Sequence, residues 1–470
     1  MSFNKKILAS AIVVGLCSTS AMAIVNISTN AGGPVKYPKE LVVPNAGVVL
    51  LNAAAQLTLT SPYNYAFAAG ETRYVRVECT NDVRFTTAAA TDSNANSTEG
   101  AVNGVATSAV TFSVTAGAGG ILASDTFTVD GTRRVTSTNN ASCSYGLYDT
   151  PSQAAAGGPA GRITSATATY LDFVTSYSMT TTQGSAVANV ESSPAYTNFT
   201  SIVGPSFTTT TADLGNITTA LTNAAIYEAD GTVLLFPEII GVGSNHVVTG
   251  DFTASASTGA TPYDAASLLR VYLDSSLTCN GYNVGADIPA SALTATTATF
   301  ATGQTPLTHR LCLVASGQTI SEASYSVMWN VVSQNANLYT TPAIGPRTLG
   351  SITRNGTQIQ APLVQTPAGY TTRIALTNTG AQARSYVITV INEAGNTATV
   401  NAANTTGTVA ANSLRVIDMS QVLTAFTGAT RATVVVTLAA PNNQIQGLYQ
   451  IFNPTNGAFS NHVMVRPGTN

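Results

Sequence analysis

The sequence predicts an all-β chain of two or three β-sandwich domains, Ig-like or Greek-key, with very little helix. Three observations carry that reading. Runs in which apolar and polar residues alternate recur along the chain, and a period of two marks a strand with one buried face. Turn dipeptides punctuate those runs, at Asp130-Gly131, Asp230-Gly231, Asn355-Gly356 and Asn456-Gly457. Helical periodicity is scarce, and short strands with frequent turns point to layered sheets.

The first segment is set apart. Asn4, Lys5 and Lys6 open a short basic region, Ile7 to Leu16 is a mostly apolar run, and Ala21-Met22-Ala23 places small residues where a signal peptidase reads. Residues 1–23 therefore read as a secretory signal peptide, with Ile24 the first residue of the exported chain. The first strands follow. Val75, Val77 and Cys79 alternate with Tyr74, Arg76 and Glu78, so Cys79 is expected to point into a core. Val110, Phe112 and Val114 form the apolar face of another strand. A break near Ser192 to Pro194 closes a first domain, residues 24–195. A middle β domain spans 196–340, and the stretch Thr340 to Pro346 reads as a linker. The last domain, 341–470, contains a strand at Tyr386 to Ile391 with apolar character on both faces. It also contains a β-branched run, Arg431 to Leu438, expected to be buried on both faces. The best helix candidate runs from Met419 to Phe426, capped by Asp418 and ended by Gly428. The Ala-rich stretches near Ala88 and Ala154 carry too much Thr, Gly and Pro for stable helix.

Composition narrows the function classes. Only 9% of residues are charged, against about 25% in an ordinary globular chain. Formal net charge is −3, and more negative once Lys5 and Lys6 are removed. A weakly acidic chain without basic patches argues against nucleic acid, and no further apolar run after the signal is long enough for a membrane-spanning helix. Thr, Ser, Asn, Ala and Gly stand in for the missing charge, which suits a surface that packs against neighbours. Past the signal, Cys79, Cys143, Cys279 and Cys312 form an even set in an exported chain, which reads as disulfides. Four cysteines allow three connectivities; proximity in sequence favours Cys79 with Cys143 and Cys279 with Cys312.

No catalytic constellation stands out. There is no GxSxG, and His246, His309 and His462 each sit in an ordinary strand or surface setting. A metal centre is poorly supported, with no CxxC and no convincing ligand spacing. For Ca²⁺ the nearest candidates are Asp130 and Asp230, which read better as turn residues. Trp329 is expected in a core. The chain is accordingly expected not to be an enzyme.

Three stretches carry a family resemblance. Val35-Lys36-Tyr37-Pro38-Lys39-Glu40-Leu41 resembles the start of surface-layer (S-layer) proteins of Gram-negative bacteria. Arg73-Tyr74-Val75-Arg76-Val77-Glu78-Cys79 is similar to their next strand. The stretch from Thr372-Arg373-Ile374-Ala375-Leu376-Thr377-Asn378 to Asn461-His462-Val463-Met464-Val465 resembles a sandwich domain of such exported proteins. The resemblance covers about a third of the chain. It implies a structural subunit that assembles with copies of itself into a two-dimensional lattice on the outer cell surface, aided by Ca²⁺ or by outer-membrane lipopolysaccharide. It carries over no residue role. The alternative expectation is an adhesin that binds glycans or host surfaces through loops at the sandwich ends.

Overall fold

The computed structural model describes residues 25–466 apart from 191, 193, 195, 201–209, 224, 258, 260, 261, 367 and 368. The expected signal peptide, residues 1–23, lies outside them. The chain is all-β, and among the described residues helix is confined to short turns between strands. It divides into two compact units, neither of them continuous in sequence. Unit 1 comprises Met1–Ser178, Ala220–Val242 and Val332–Pro342; unit 2 comprises Met179–Thr219, Gly243–Val331 and Ala343–Asn470.

Unit 1 is organised around a six-stranded sheet. Its main strands are β1 (Val35–Pro38), β2 (Thr72–Cys79), β3 (Ala109–Thr115), β4 (Ala141–Tyr148) and β5 (Arg162–Val174), in the order β1-β5-β4-β2-β3, with the short strand Thr98–Glu99 at the end. The alternation read from the sequence sets the faces: Val75, Val77, Cys79, Val110, Phe112 and Val114 are all buried. The register places Cys143 directly opposite Cys79. A smaller sheet places Phe127 and Val129 over this core, where Phe127 meets Phe112, Tyr63 and Tyr145. The outlying segments of unit 1 return to its beginning: Ile226 bridges to Lys36 and Tyr339 to Leu41.

Unit 2 contains a ten-stranded sheet and a C-terminal body of two four-stranded sheets. The large sheet is built from β6 (Tyr177–Ala188), β7 (Thr211–Leu221), β8 (Asn245–Thr249), β9 (Val271–Asp274), β10 (Thr297–Ala301), β11 (Leu307–Val314), β12 (Ala323–Asn330) and β13 (Ile344–Arg354), in the order β9-β11-β7-β6-β13-β12-β8-β10. Its two outermost strands, Ile288–Pro289 beside β9 and Ala292–Leu293 beside β10, are neighbours in sequence. The sheet must therefore curl until its ends approach. Glycines allow the bend. Gly184 and Gly350 are register partners, and a Cβ on Gly215 would meet Thr182 O at 2.2 Å and Leu349 O at 2.5 Å. Gly215 also has a positive φ of 104° beside a register shift between Asp213 and Asn216. Only glycine tolerates that combination.

The C-terminal body follows with β14 (Thr357–Gln365), β15 (Thr371–Asn378), β16 (Arg384–Asn392), β17 (Thr406–Val409), β18 (Ser413–Asp418), β19 (Arg431–Leu438), β20 (Ile445–Phe452) and β21 (Phe459–Val463). One sheet has the order β14-β19-β16-β17, the other β18-β15-β20-β21. Ile359, Ile374, Leu376, Ile388, Val434, Val436, Leu438 and Tyr449 fill the space between them. Each such side chain contributes on the order of 1.5–3 kcal/mol over its exposed state.

Four sequence expectations change. The helix from Met419 stops at Val422, because Leu423–Thr427 pairs instead with Thr397–Val400 as a strand; Asp418 does cap it, accepting from Ser420 N at 3.0 Å. The stretch near Ala154 does form a short helix, α1 (Pro151–Ala156). Thr150 and Gln153 make a reciprocal capping box, and Pro151 suits the first turn. The expected linker ends in a strand, since residues from Ile344 onward belong to β13. Burial along β19 is complete at Val434 and Val436 and nearly so at Val435, but Thr437 faces outward.

Candidate assembly surface

The outer face of the β18-β15-β20-β21 sheet is apolar where a solvated sheet would be polar. Alternation sends Ile374, Leu376, Ile417 and Tyr449 inward. It sends the intervening residues outward, and the register aligns them in rows. Val416, Ala375, Leu448 and Val463 form one continuous cross-strand row. Leu414 flanks it on one side. On the other lies a polar row of Asp418, Arg373, Gln450 and Asn461, in which Gln450 Nε2 donates to Asn461 Oδ1 at 2.9 Å. Leu414, Val416 and Val463 are 59%, 51% and 73% exposed, and Phe459 at the start of β21 is 66% exposed. A groove of about 490 Å³ crosses this face, lined by Leu414, Ala375, Leu448, Val463 and Met464, with Arg466 at its rim. The opposite sheet also presents apolar side chains outward: Leu363, Val387 and Ile391.

The strand β21 closes this sheet on one side only. Met464 N donates to Gly447 O, so alternate residues of the strand turn their backbone groups toward β20. The backbone groups of Phe459, Asn461 and Val463 point the other way. Among the described residues that edge is paired at Val465, which exchanges both backbone hydrogen bonds with Gln360 of β14, and no strand pairs with it between Phe459 and Val463. Edge strands are commonly guarded by Lys, Pro or inward charges; Phe459-Ser460-Asn461-His462-Val463 has none.

The cysteines pair as Cys79–Cys143, with Cα atoms 4.1 Å apart, and Cys279–Cys312, 5.5 Å apart. Asp274 lies beside the second bond, and its carboxylate and the two sulfurs are close enough to resemble a metal site. The donor set does not fit one. Both sulfurs are in the disulfide, and Asp274 already accepts from Ser276 N, Thr278 N and Cys279 N, each at 2.7 Å or less. Burial acts to raise its carboxyl, but these hydrogen bonds outweigh it and hold it below the usual range.

Asp130 and Asp230 both serve their turns. Asp130 accepts from Asn52 Nδ2, Thr58 Oγ1 and Gly131 N; Asp230 accepts from Thr232 N and Oγ1. The three histidines lie on separate strands. His246 is fully buried, its ring stacked on Trp329 at 5.7 Å and 14°. Burial, with a smaller contribution from the charge of His309, pushes its pKa down to about 3. His309 is also held below its ordinary value, chiefly by burial. His462 lies exposed on the open strand and stacks on Tyr449. The outward rows of the C-terminal sheet were missed in the sequence, although the alternation of Ala375, Leu448 and Val463 with core residues was there to be read.

Comparison with known families decides what such a surface belongs to. The profile of the S-layer protein Slr4 family matches residues 45–451, nearly the whole described chain. The chain belongs to the S-layer protein Slr4 family. This S-layer protein is thus a structural subunit of a self-assembling cell-surface layer, extracellular by family, as its resemblance implied. No curated protein sequence matches it. Among solved structures, it is similar to the serine-rich repeat protein Srr2 from Streptococcus agalactiae, with 11% identity and a TM-score of 0.19, covering 55% of this chain and 87% of that one. It is also similar to the α-L-rhamnosidase of Streptomyces avermitilis complexed with L-rhamnose, with 10% identity and a TM-score of 0.15, covering 85% of this chain and 37% of that one. Neither likeness bears on fold or function at those scores. No helix among the described residues of the S-layer protein is long and apolar enough to cross a membrane.

Proposed function

We propose that this S-layer subunit tiles the outer surface of a Gram-negative cell through contacts between identical copies, is held there by lipopolysaccharide, and performs no catalytic step. Family membership over residues 45–451 carries the reading. Two outward apolar sheet faces on one body support it, because monomeric proteins rarely expose such faces without a partner. Low charge supports it too: repulsion between copies is weak and is screened beyond about 8 Å at physiological ionic strength. Ca²⁺ is the candidate cofactor of assembly. The test is negative-stain microscopy and light scattering on the chain lacking residues 1–23, with and without Ca²⁺, and with and without lipopolysaccharide. Ordered sheets are expected. A persistent monomer in all four conditions, from a protein scarce on its cell, would favour the adhesin.

A further inference from the structure

We propose that the open edge of β21 is a two-fold contact at which a second copy of this chain pairs antiparallel around Asn461. The inference rests on the reading of the chain as a lattice subunit and names the segment that joins two copies.

The first argument concerns hydrogen bonding. The outward N–H and C=O groups of Phe459, Asn461 and Val463 form an unpaired ladder edge, and such an edge is complemented by another strand. An antiparallel strand edge is complementary to itself, so a two-fold axis at Asn461 satisfies both copies with the same groups. The second argument is the side-chain pattern. Phe459, Asn461 and Val463 share the outer face, and the order apolar, polar, apolar reads the same in both directions about Asn461. The two-fold therefore sets Phe459 of each copy beside Val463 of the other, and Asn461 beside Asn461. A register centred on Ser460, His462 or Val463 sets an apolar residue against the amide, and one centred on Phe459 sets Val463 against Thr455 of the preceding turn. The third argument is shape and charge. Phe459 protrudes, and Val463 borders the groove lined by Leu448, Ala375 and Leu414. Pairing brings each phenyl ring to the mouth of the other copy's groove. No Lys, Arg, Asp or Glu lies between Phe459 and Val463, so no like charges meet at the axis. The product is one eight-stranded sheet running through two subunits, with the row Val416, Ala375, Leu448 and Val463 continued across the axis by Phe459 of the second copy.

A contact of five residues a side is smaller than the roughly 1,200 Å² of a stable dimer interface. It suits a lattice, where each subunit is held by several contacts at once.

Two kinds of variant test the pairing in the full exported chain. Asn461→Pro deletes an N–H that points away from β20, so it leaves the intramolecular ladder intact while blocking the edge. Phe459→Lys with Val463→Lys places like charges across the axis. Both are expected to abolish ordered sheets at concentrations where the unaltered chain forms them, with thermal melts by circular dichroism unchanged. Asn461→Cys supplies a gain of signal. Paired antiparallel residues have Cα atoms about 5.5 Å apart, within the range a disulfide spans, and the four native cysteines are already bonded. Mild oxidation of the assembled variant is expected to yield a covalent dimer. If the unaltered chain forms sheets while the blocking variants assemble equally well and Asn461→Cys gives no dimer, the pairing is wrong and the lattice reading stands. If the unaltered chain itself never assembles, both fall.

Discussion

His246 shows how one buried side chain links stability to acidity. Among the described residues its ring nitrogens have no hydrogen-bond partner, and it is stacked on Trp329 inside unit 2. Burial holds its pKa at about 3 in the folded chain, against 6.5 when exposed. The folded pKa is the lower one. As pH falls through 6.5 the unfolded chain takes up a proton that the folded chain refuses, and stability is lost down to about pH 3. Between pH 7 and pH 4 this site alone should remove about 3 kcal/mol. His246→Phe should flatten the fall in urea midpoint over that interval, followed by fluorescence of Trp329, the chain's single tryptophan. An unchanged slope would show that the histidine is not the source. Arg133 in unit 1 poses the opposite problem, a permanent cation with no solvent. Its guanidinium lies 4.3 Å from the Phe85 ring centroid and 5.8 Å from that of Tyr170, and donates to the carbonyls of Leu57 and Thr132. Among the described residues no carboxylate forms an ion pair with it. A buried charge offset only by ring faces and carbonyls contributes little net stability, while the space it fills matters. Arg133→Met should cost less than about 1.5 kcal/mol and Arg133→Ala about 3–5 kcal/mol, read from denaturant midpoints; equal losses would show that the charge, not the volume, dominates.

At the scale of elements, the strands were legible and their partners were not. The alternation at Val75, Val77 and Cys79 set the buried face of β2 correctly, because one residue's step reverses a side chain whatever lies alongside. The turns were legible as turns, yet they divide into two kinds. Asn456-Gly457 joins two paired strands, and Asp230-Gly231 closes the bridge between Tyr227 and Val233. Asp130-Gly131 and Asn355-Gly356 are corners where the chain leaves one sheet for another, and local residue chemistry does not encode that choice. The same limit hid the assembly surface. Ala375, Leu448 and Val463 look like ordinary strand residues until the register aligns them. The disulfides are the elements with the most direct stability consequence. The Cys79–Cys143 bond closes a loop of 64 residues and Cys279–Cys312 one of 33, and by loop entropy each is worth about 4 kcal/mol. Replacing Cys79 and Cys143 together with Ala should lower the unfolding free energy of unit 1 by that amount, read from its denaturant midpoint, and leave the unfolding of Trp329 in unit 2 largely unmoved. A matching shift of the Trp329 signal would show that the two units unfold as one.

For the molecule as a whole, composition and the export signal pointed to a secreted β protein, and sparse charge to one that packs against copies of itself. Nothing in the sequence revealed that unit 1 recruits Ala220–Val242 and Val332–Pro342, since those segments fall within the expected middle domain, 196–340, and the start of its linker. That arrangement has a consequence for how the molecule is made. A chain crossing a membrane emerges from its first residue onward, and Leu41 must wait for Tyr339 before their bridge can form. Most of unit 2's large sheet is threaded through in the interval. Unit 1 thus stays incomplete until most of the polypeptide has been delivered, with contacts of high sequence separation that form slowly. A subunit whose first-made part is finished among the last cannot offer a complete body to its neighbours while still emerging.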